Sequence, residues 1–175
     1  AQVELIRYSM LSVEAHVAKP EVDLMLSPER FVEFFQGFEA LKQKRKIIDW
    51  EDALLLCVGL LRDQPRMLAH VQQQYRFFTV DEYQDISVLQ QSLLETWLGD
   101  RQELCVVGDP RQTIYTFAGA RSDFLTDFSN RYESAQVFEL NRNYRSSLRH
   151  RVSPTYWRID VAELKSCVHY SVAIH

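Results

Sequence analysis

Cysteine is scarce: Cys57, Cys105 and Cys167 are odd in number and far apart. They build no disulfide framework, and no paired-cysteine zinc spacing occurs, so the chain reads as one from a reducing cytoplasm. No apolar run approaches the roughly 20 residues that a membrane-crossing helix needs; the longest covers 53–61. The N-terminus carries no charged start, apolar middle and small-residue cleavage site, which argues against export. An excess of positive charge is missing too. With Lys+Arg 20 against Asp+Glu 24, the formal net charge is −4. That argues against a surface that grips phosphates throughout, and leaves room for a local nucleic-acid groove. No internal repeat or low-complexity segment is visible.

What remains is an ordinary soluble composition, 46% hydrophobic and 25% charged. The 175 residues suffice for one domain or pieces of two. The first sixty-odd read as helical. Ser27, Pro28 and Glu29 combine a capping hydroxyl, a proline for the first helical position and an acid at the positive end of the dipole. Phe31, Phe34, Phe35, Phe38 and Leu41 follow as one apolar stripe, and a basic run over 42–46 closes the helix. Asp49 is a second N-cap, with Glu51 and Asp52 in the first turn. The helix that it opens is apolar over most of its circumference and is expected to be buried.

From Tyr75 the pattern changes. Short apolar runs at 77–80, 104–107 and 137–140 each break into polar residues, and a helix over 87–98 separates the first two. Short continuous strands alternating with helices predict a parallel sheet covered on both faces. Ligands of such sheets sit beyond the carboxyl ends of the strands, where the acids of this chain fall.

Three patches carry chemistry. After the first strand come Asp81 and Glu82. One carboxylate can hold Mg²⁺ through its water shell, and the other can orient and deprotonate a water attacking a phosphate. The bland reading is a solvated acidic turn. After the second strand, Gly108 permits a tight turn and Pro110 stiffens the next step. Gln112 can both donate and accept near a phosphate. Tyr115 and Phe117 stand in a loop of small and polar residues, suited to base stacking or else packed as core. The third patch pairs Tyr144, a flat ring for a purine, with Arg145, a fixed-charge donor for a γ-phosphate. The five histidines have no cysteine or acid grouping around them and read as surface or incidental.

Taken in order, Asp81-Glu82-x-Gln84-Asp85, Gly108-Asp109-x-x-Gln112-x-Ile114-Tyr115 and Asn143-Tyr144-Arg145-Ser146 resemble motifs II, III and IV of the UvrD/Rep/PcrA superfamily 1 DNA helicases. The resemblance covers roughly 49–147. It implies an α/β fold, the P-loop NTPase (RecA-like) parallel-sheet part of a helicase motor domain, preceded by a helical insertion-domain segment. On that reading 1–70 is the helical segment, 71–135 the C-terminal part of motor domain 1, 136–147 the start of motor domain 2, and 148–175 an unassigned tail. The resemblance further implies ATP and Mg²⁺ as cofactors, with Asp81 on the metal and Glu82 activating water. Gln112 would couple near the γ-phosphate, Tyr144 would stack on adenine, and Arg145 would act as a finger on the γ-phosphate. Tyr115 and Phe117 would meet single-stranded DNA, and Asp85 would tie motif II to its neighbours. The implied partners are single-stranded and duplex DNA, with 3′-to-5′ polarity and no membrane expected.

The departures are equally specific. No Gly-x-x-x-x-Gly-Lys-Ser/Thr segment occurs, so the phosphate cradle and its lysine are missing from the sequence. Ala118 stands where many relatives carry arginine, and 148–175 lacks the expected helix. An alternative is therefore a non-catalytic DNA-binding or partner module built on the same fold.

Overall fold

The computed structural model describes residues 2–20, 22, 24–132, 134–140 and 157–162. Five helices come first: α1 (Gln2–Tyr8), α2 (Val13–Val17), α3 (Pro28–Arg45), α4 (Trp50–Asp63) and α5 (Pro65–Gln74). Then follow β1 (Phe78–Val80), α6 (Val88–Leu98), β2 (Leu104–Gly108), α7 (Asp123–Thr126), α8 (Phe128–Arg131), β3 (Gln136–Leu140) and β4 (Trp157–Ala162). No described helix is long and apolar enough to cross a membrane.

The helix starts follow their capping residues. The Ser27 hydroxyl accepts from the Arg30 N–H ahead of α3, with Pro28 in the first turn. That helix stops where Lys46 takes a left-handed conformation, φ 54°. Asp49 and Asp52 form a reciprocal capping box on α4, as Ser87 and Gln90 do on α6. Burial departs from expectation. On α4 only Val58 and Leu61 are buried, while Trp50, Leu56 and Leu60 are exposed. The phenylalanine stripe is likewise covered at Phe31, against Ile6 and Val13, and open at Phe34 and Leu41. Apolar spacing says which face could be covered; whether a neighbour covers it is a tertiary matter.

The sheet runs β1-β2-β4-β3. β1 and β2 pair in parallel, with Thr79 opposite Cys105. β4 is antiparallel to both β2 and β3, with Val161 opposite Cys105 and Ile159 opposite Phe138. The sheet is thus mixed rather than wholly parallel, because part of the unassigned tail takes the ladder beside β2. Its coverage also differs from expectation. Along β2, Leu104, Val106 and Gly108 are buried while Cys105 and Val107 are only half-buried. Among the described residues the core therefore lies on one face, where Leu104 and Val106 meet Leu94, Leu98, Phe124, Leu125 and Phe128. α6 serves two cores. Leu94 and Leu98 face the sheet, while Leu89 and Leu93 meet Val58 and Leu61 of α4.

A buried ion cluster joins the N-terminal helices. Arg7 of α1 bonds Asp49 at 2.5 Å and Asp52 at 2.7 Å, and also Glu39. Lys42 bonds the same two aspartates at 2.8 and 2.6 Å. Lys42 thus turns inward instead of serving a solvated basic helix end. Burial would raise the Asp49 carboxyl, but Lys42, the Asp52 N–H and Arg7 together hold it down at about 2. Stability from this depressed group is present above the ordinary carboxylate pKa and is lost as pH falls through about 2. Between pH 5 and pH 2 Asp49 should account for a loss of about 2 kcal/mol. Denaturant midpoints at the two pH values, in wild type and Asp49→Asn, check this. Equal losses in both proteins would show that another group titrates.

His16 is a further departure from the surface assignment: it is 1% exposed, with Nε2 at 2.8 Å from Gln2 Oε1.

Candidate nucleotide and nucleic-acid site

β1 delivers the chain into an acidic turn. Asp81 and Glu82 are both exposed, and Glu82 lies in the left-handed region at φ 51°. Such a φ is uncommon for a residue with a side chain. Here the Glu82 N–H donates to Asp81 Oδ1 at 2.8 Å, and the 3-10 turn Tyr83–Asp85 follows. That turn is anchored from below. Tyr83 is fully buried, its hydroxyl donates to Gln91 Oε1 at 2.7 Å, and burial pushes its phenol well above the ordinary range.

The neighbouring strand β2 ends in a second turn, joined to the first by Gln84. This buried amide donates from Nε2 to Glu82 Oε2 at 2.6 Å and accepts at Oε1 from the Asp109 N–H at 3.1 Å. The Asp109 carboxylate, itself buried, accepts from the Arg111 N–H at 3.0 Å and from Gln112 Nε2 at 2.9 Å. Glu82, Gln84, Asp109 and Gln112 thus form one continuous relay across the carboxyl ends of two adjacent parallel strands. Gly108 makes the relay possible through space rather than through turn conformation. A Cβ there would overlap Gln84 Oε1 and come within 2.9 Å of Leu125 Cδ2.

The relay's edge is tied down as well. Asp85 Oδ1 accepts from the N–H groups of Ile114 at 3.1 Å and Tyr115 at 3.4 Å. Arg121 N–H donates to the Ile86 carbonyl at 2.9 Å. Between these ties Tyr115 and Phe117 stand 51% and 62% exposed, their ring centroids 6.1 Å apart. Neither ring is core. A cavity of about 450 Å³ opens between this turn and α1, lined by Tyr8, Asp81, Glu82, Asp85, Tyr115 and Ala118 among others.

Among the described residues no group of three or more His, Cys, Asp or Glu could enclose a metal ion. Mg²⁺, which keeps several waters and takes one or two carboxylates, would need no such group. Asp81 offers the suitable donor: an exposed carboxylate with Oδ1 engaged by a backbone N–H. Tyr144 and Arg145 lie outside the described residues. Sequence reasoning missed two contributors. The bridging role of Gln84 has only its place between two acids as a signal, and Tyr8 has none.

The family described as UvrD/REP helicase N-terminal domain matches residues 9–133. This chain belongs to that family. Among similar proteins, the ATP-dependent DNA helicase UvrD2 of Mycobacterium bovis is 39% identical over 152 residues, covering 83% of this UvrD/REP-family chain and 22% of that protein. The ATP-dependent DNA helicase PcrA of Leuconostoc citreum is 32% identical over 119 residues, 68% of this chain and 16% of that protein. The putative ATP-dependent DNA helicase YjcD of Bacillus subtilis is 32% identical over 113 residues, 65% of this chain and 15% of that protein. The UvrD/REP-family chain therefore spans about a fifth or less of the length of these relatives.

Proposed function

We propose that this chain forms part of an ATP-dependent 3′-to-5′ DNA helicase, the C-terminal part of its first RecA-like motor domain with a helical segment ahead of it. The observation that carries this reading is the relay from Glu82 through Gln84 and Asp109 to Gln112. It links a carboxylate suited to activating water with an amide suited to sensing a phosphate, the coupling that a nucleotide-driven motor needs.

In this reading Asp81 holds Mg²⁺, which supplies charge neutralisation at the phosphates when bound. Glu82 orients and deprotonates the attacking water, and three hydrogen bonds, through the Gln84 amide and Asp109, link it to Gln112. Tyr144 stacks on adenine, and Arg145 stabilises charge developing on the γ-phosphate. Tyr115 and Phe117 offer ring faces to single-stranded DNA ahead of the duplex. The compartment is the cytoplasm.

Two results test it. The gene region upstream should encode a Gly-x-x-x-x-Gly-Lys-Ser/Thr segment; without one, the non-catalytic DNA-binding or partner module becomes the better reading. This chain purified alone should show no DNA-stimulated ATP hydrolysis above background, because the backbone cradle and lysine are missing from its sequence. A turnover of about 1 s⁻¹ that vanished in Glu82→Gln would contradict this.

A further inference from the structure

The aromatic turn is supported by a helix far away in sequence. α1 approaches it at Gly119, whose φ of +89° already favours glycine. A Cβ at Gly119 would lie 3.2 Å from Tyr8 Cβ and 3.3 Å from Leu5 Cδ1, so the helix sits directly against the turn. Tyr8 also lines the cavity that contains Tyr115, Asp81 and Glu82. Its position is set from behind. The adjacent Arg7 is held by Glu39 of α3, Asp52 of α4 and Asp49 at the cap of α4, and Glu51 of α4 lies beside the Tyr8 phenol. Burial and that carboxylate push the phenol up to about 12, so it stays neutral at physiological pH.

We propose that Tyr8 is a positioning residue for the aromatic turn: its ring, packed on the core that α4 and α6 share, fixes the end of α1 against Gly119, and so sets where Tyr115 and Phe117 stand above the acidic turn and how well they present to a single strand. Two of the turn's attachments run to the acidic turn itself, through Asp85 Oδ1. α1 supplies an attachment that comes instead from the ion cluster. Displacing Tyr8 therefore lets the turn move relative to Glu82 without breaking the relay. The part concerning DNA rests on the function proposed above; the positioning itself does not.

The test uses this chain uniformly labelled with fluorotyrosine, the Tyr115 ¹⁹F resonance being assigned by its loss in Tyr115→Phe. Tyr8→Ala and the bulkier Tyr8→Leu are expected to move that resonance, while Tyr8→Phe, which keeps the ring, leaves it in place. Affinity for a single-stranded oligo-dT probe, read by anisotropy, should fall about tenfold in Tyr8→Ala and recover in Tyr8→Phe, the scale of one lost base stack. If Tyr8→Ala does not fold, Tyr8→Leu decides. An unmoved Tyr115 resonance in a folded Tyr8→Leu, with only its thermal midpoint lowered, would overturn the proposal. A resonance that moves while wild type shows no oligo-dT binding would sustain the positioning role and remove the DNA reading.

Discussion

Replacing Arg7 by Ala is expected to cost about 3 kcal/mol of folding stability, among the largest effects of any single change in the helical part of the chain. Its side chain is 5% exposed and reaches Glu39, Asp49 and Asp52. Without it, Lys42 alone must neutralise three carboxylates drawn close together. Removing one partner of a buried ion pair typically costs about 3–5 kcal/mol, because the remaining charge is left uncompensated. Glu39, Asp49 and Asp52 keep side-chain exposures of 30%, 32% and 18%, so water relieves part of that penalty. This places the cost at the low end. Arg7 also has a buried Nε without a partner among the described residues, so its own satisfaction is incomplete. At roughly 2–4 °C per kcal/mol for a chain of this size, the thermal midpoint should fall by about 6–12 °C. Arg7→Met separates charge from packing, since it keeps the aliphatic stem. If Arg7→Met proves as stable as wild type, the cluster contributes packing and not charge compensation.

The second large effect concerns chemistry. If the region upstream encodes the phosphate-binding loop proposed above, Glu82→Gln in a chain extended to include it should lower kcat for DNA-stimulated ATP hydrolysis about 10²–10⁴-fold, the usual contribution of a positioned general base. Nucleotide affinity should change little, because the amide keeps the shape of the carboxylate and Gln84 can still bond its oxygen. Gln84→Ala cuts the relay at both of its contacts and should also depress kcat, by a smaller factor, since the exposed Glu82 remains in place. The double variant should be no worse than Glu82→Gln alone, as expected for residues acting as a unit. A kcat within a few-fold of wild type in Glu82→Gln would remove Glu82 from the proposed role. Fully additive losses would deny the relay.

Much of the local structure was legible because its causes are local. Ser27 with Pro28 and Asp49 with Asp52 announced two helices, a third was read over 87–98, and the cap hydrogen bonds are formed within three residues of each start. The ends of β1 and β2 were visible as β-branched and aromatic runs breaking into acids. Burial was less legible. Trp50, Leu56 and Phe34 have the spacing of core residues and stand exposed, because periodicity reports a face and not its cover. The parallel order failed at β4 for a related reason. A strand of 157–162 pairs antiparallel beside β2 through backbone groups that every residue carries, and side-chain pattern does not encode that choice.

The candidate site divides along the same line. The residue types, their order and their placement after strands were determined by sequence alone, since each apolar run breaks at once into polar residues. What only the folded chain decided is how they are connected. Gln84 reaches Asp109 across twenty-five positions of sequence, and only because Gly108 leaves room for its amide oxygen. Tyr8 meets the aromatic turn from more than a hundred residues away, at a glycine whose φ of +89° is read from the backbone. Lys42, written into a run of basic residues, turned inward because Asp49 and Asp52 wait at the start of the next helix. In each case the partner is brought close by packing of whole elements, and a hydrogen bond or ion pair formed at 3 Å has no signature in the spacing of either residue taken alone.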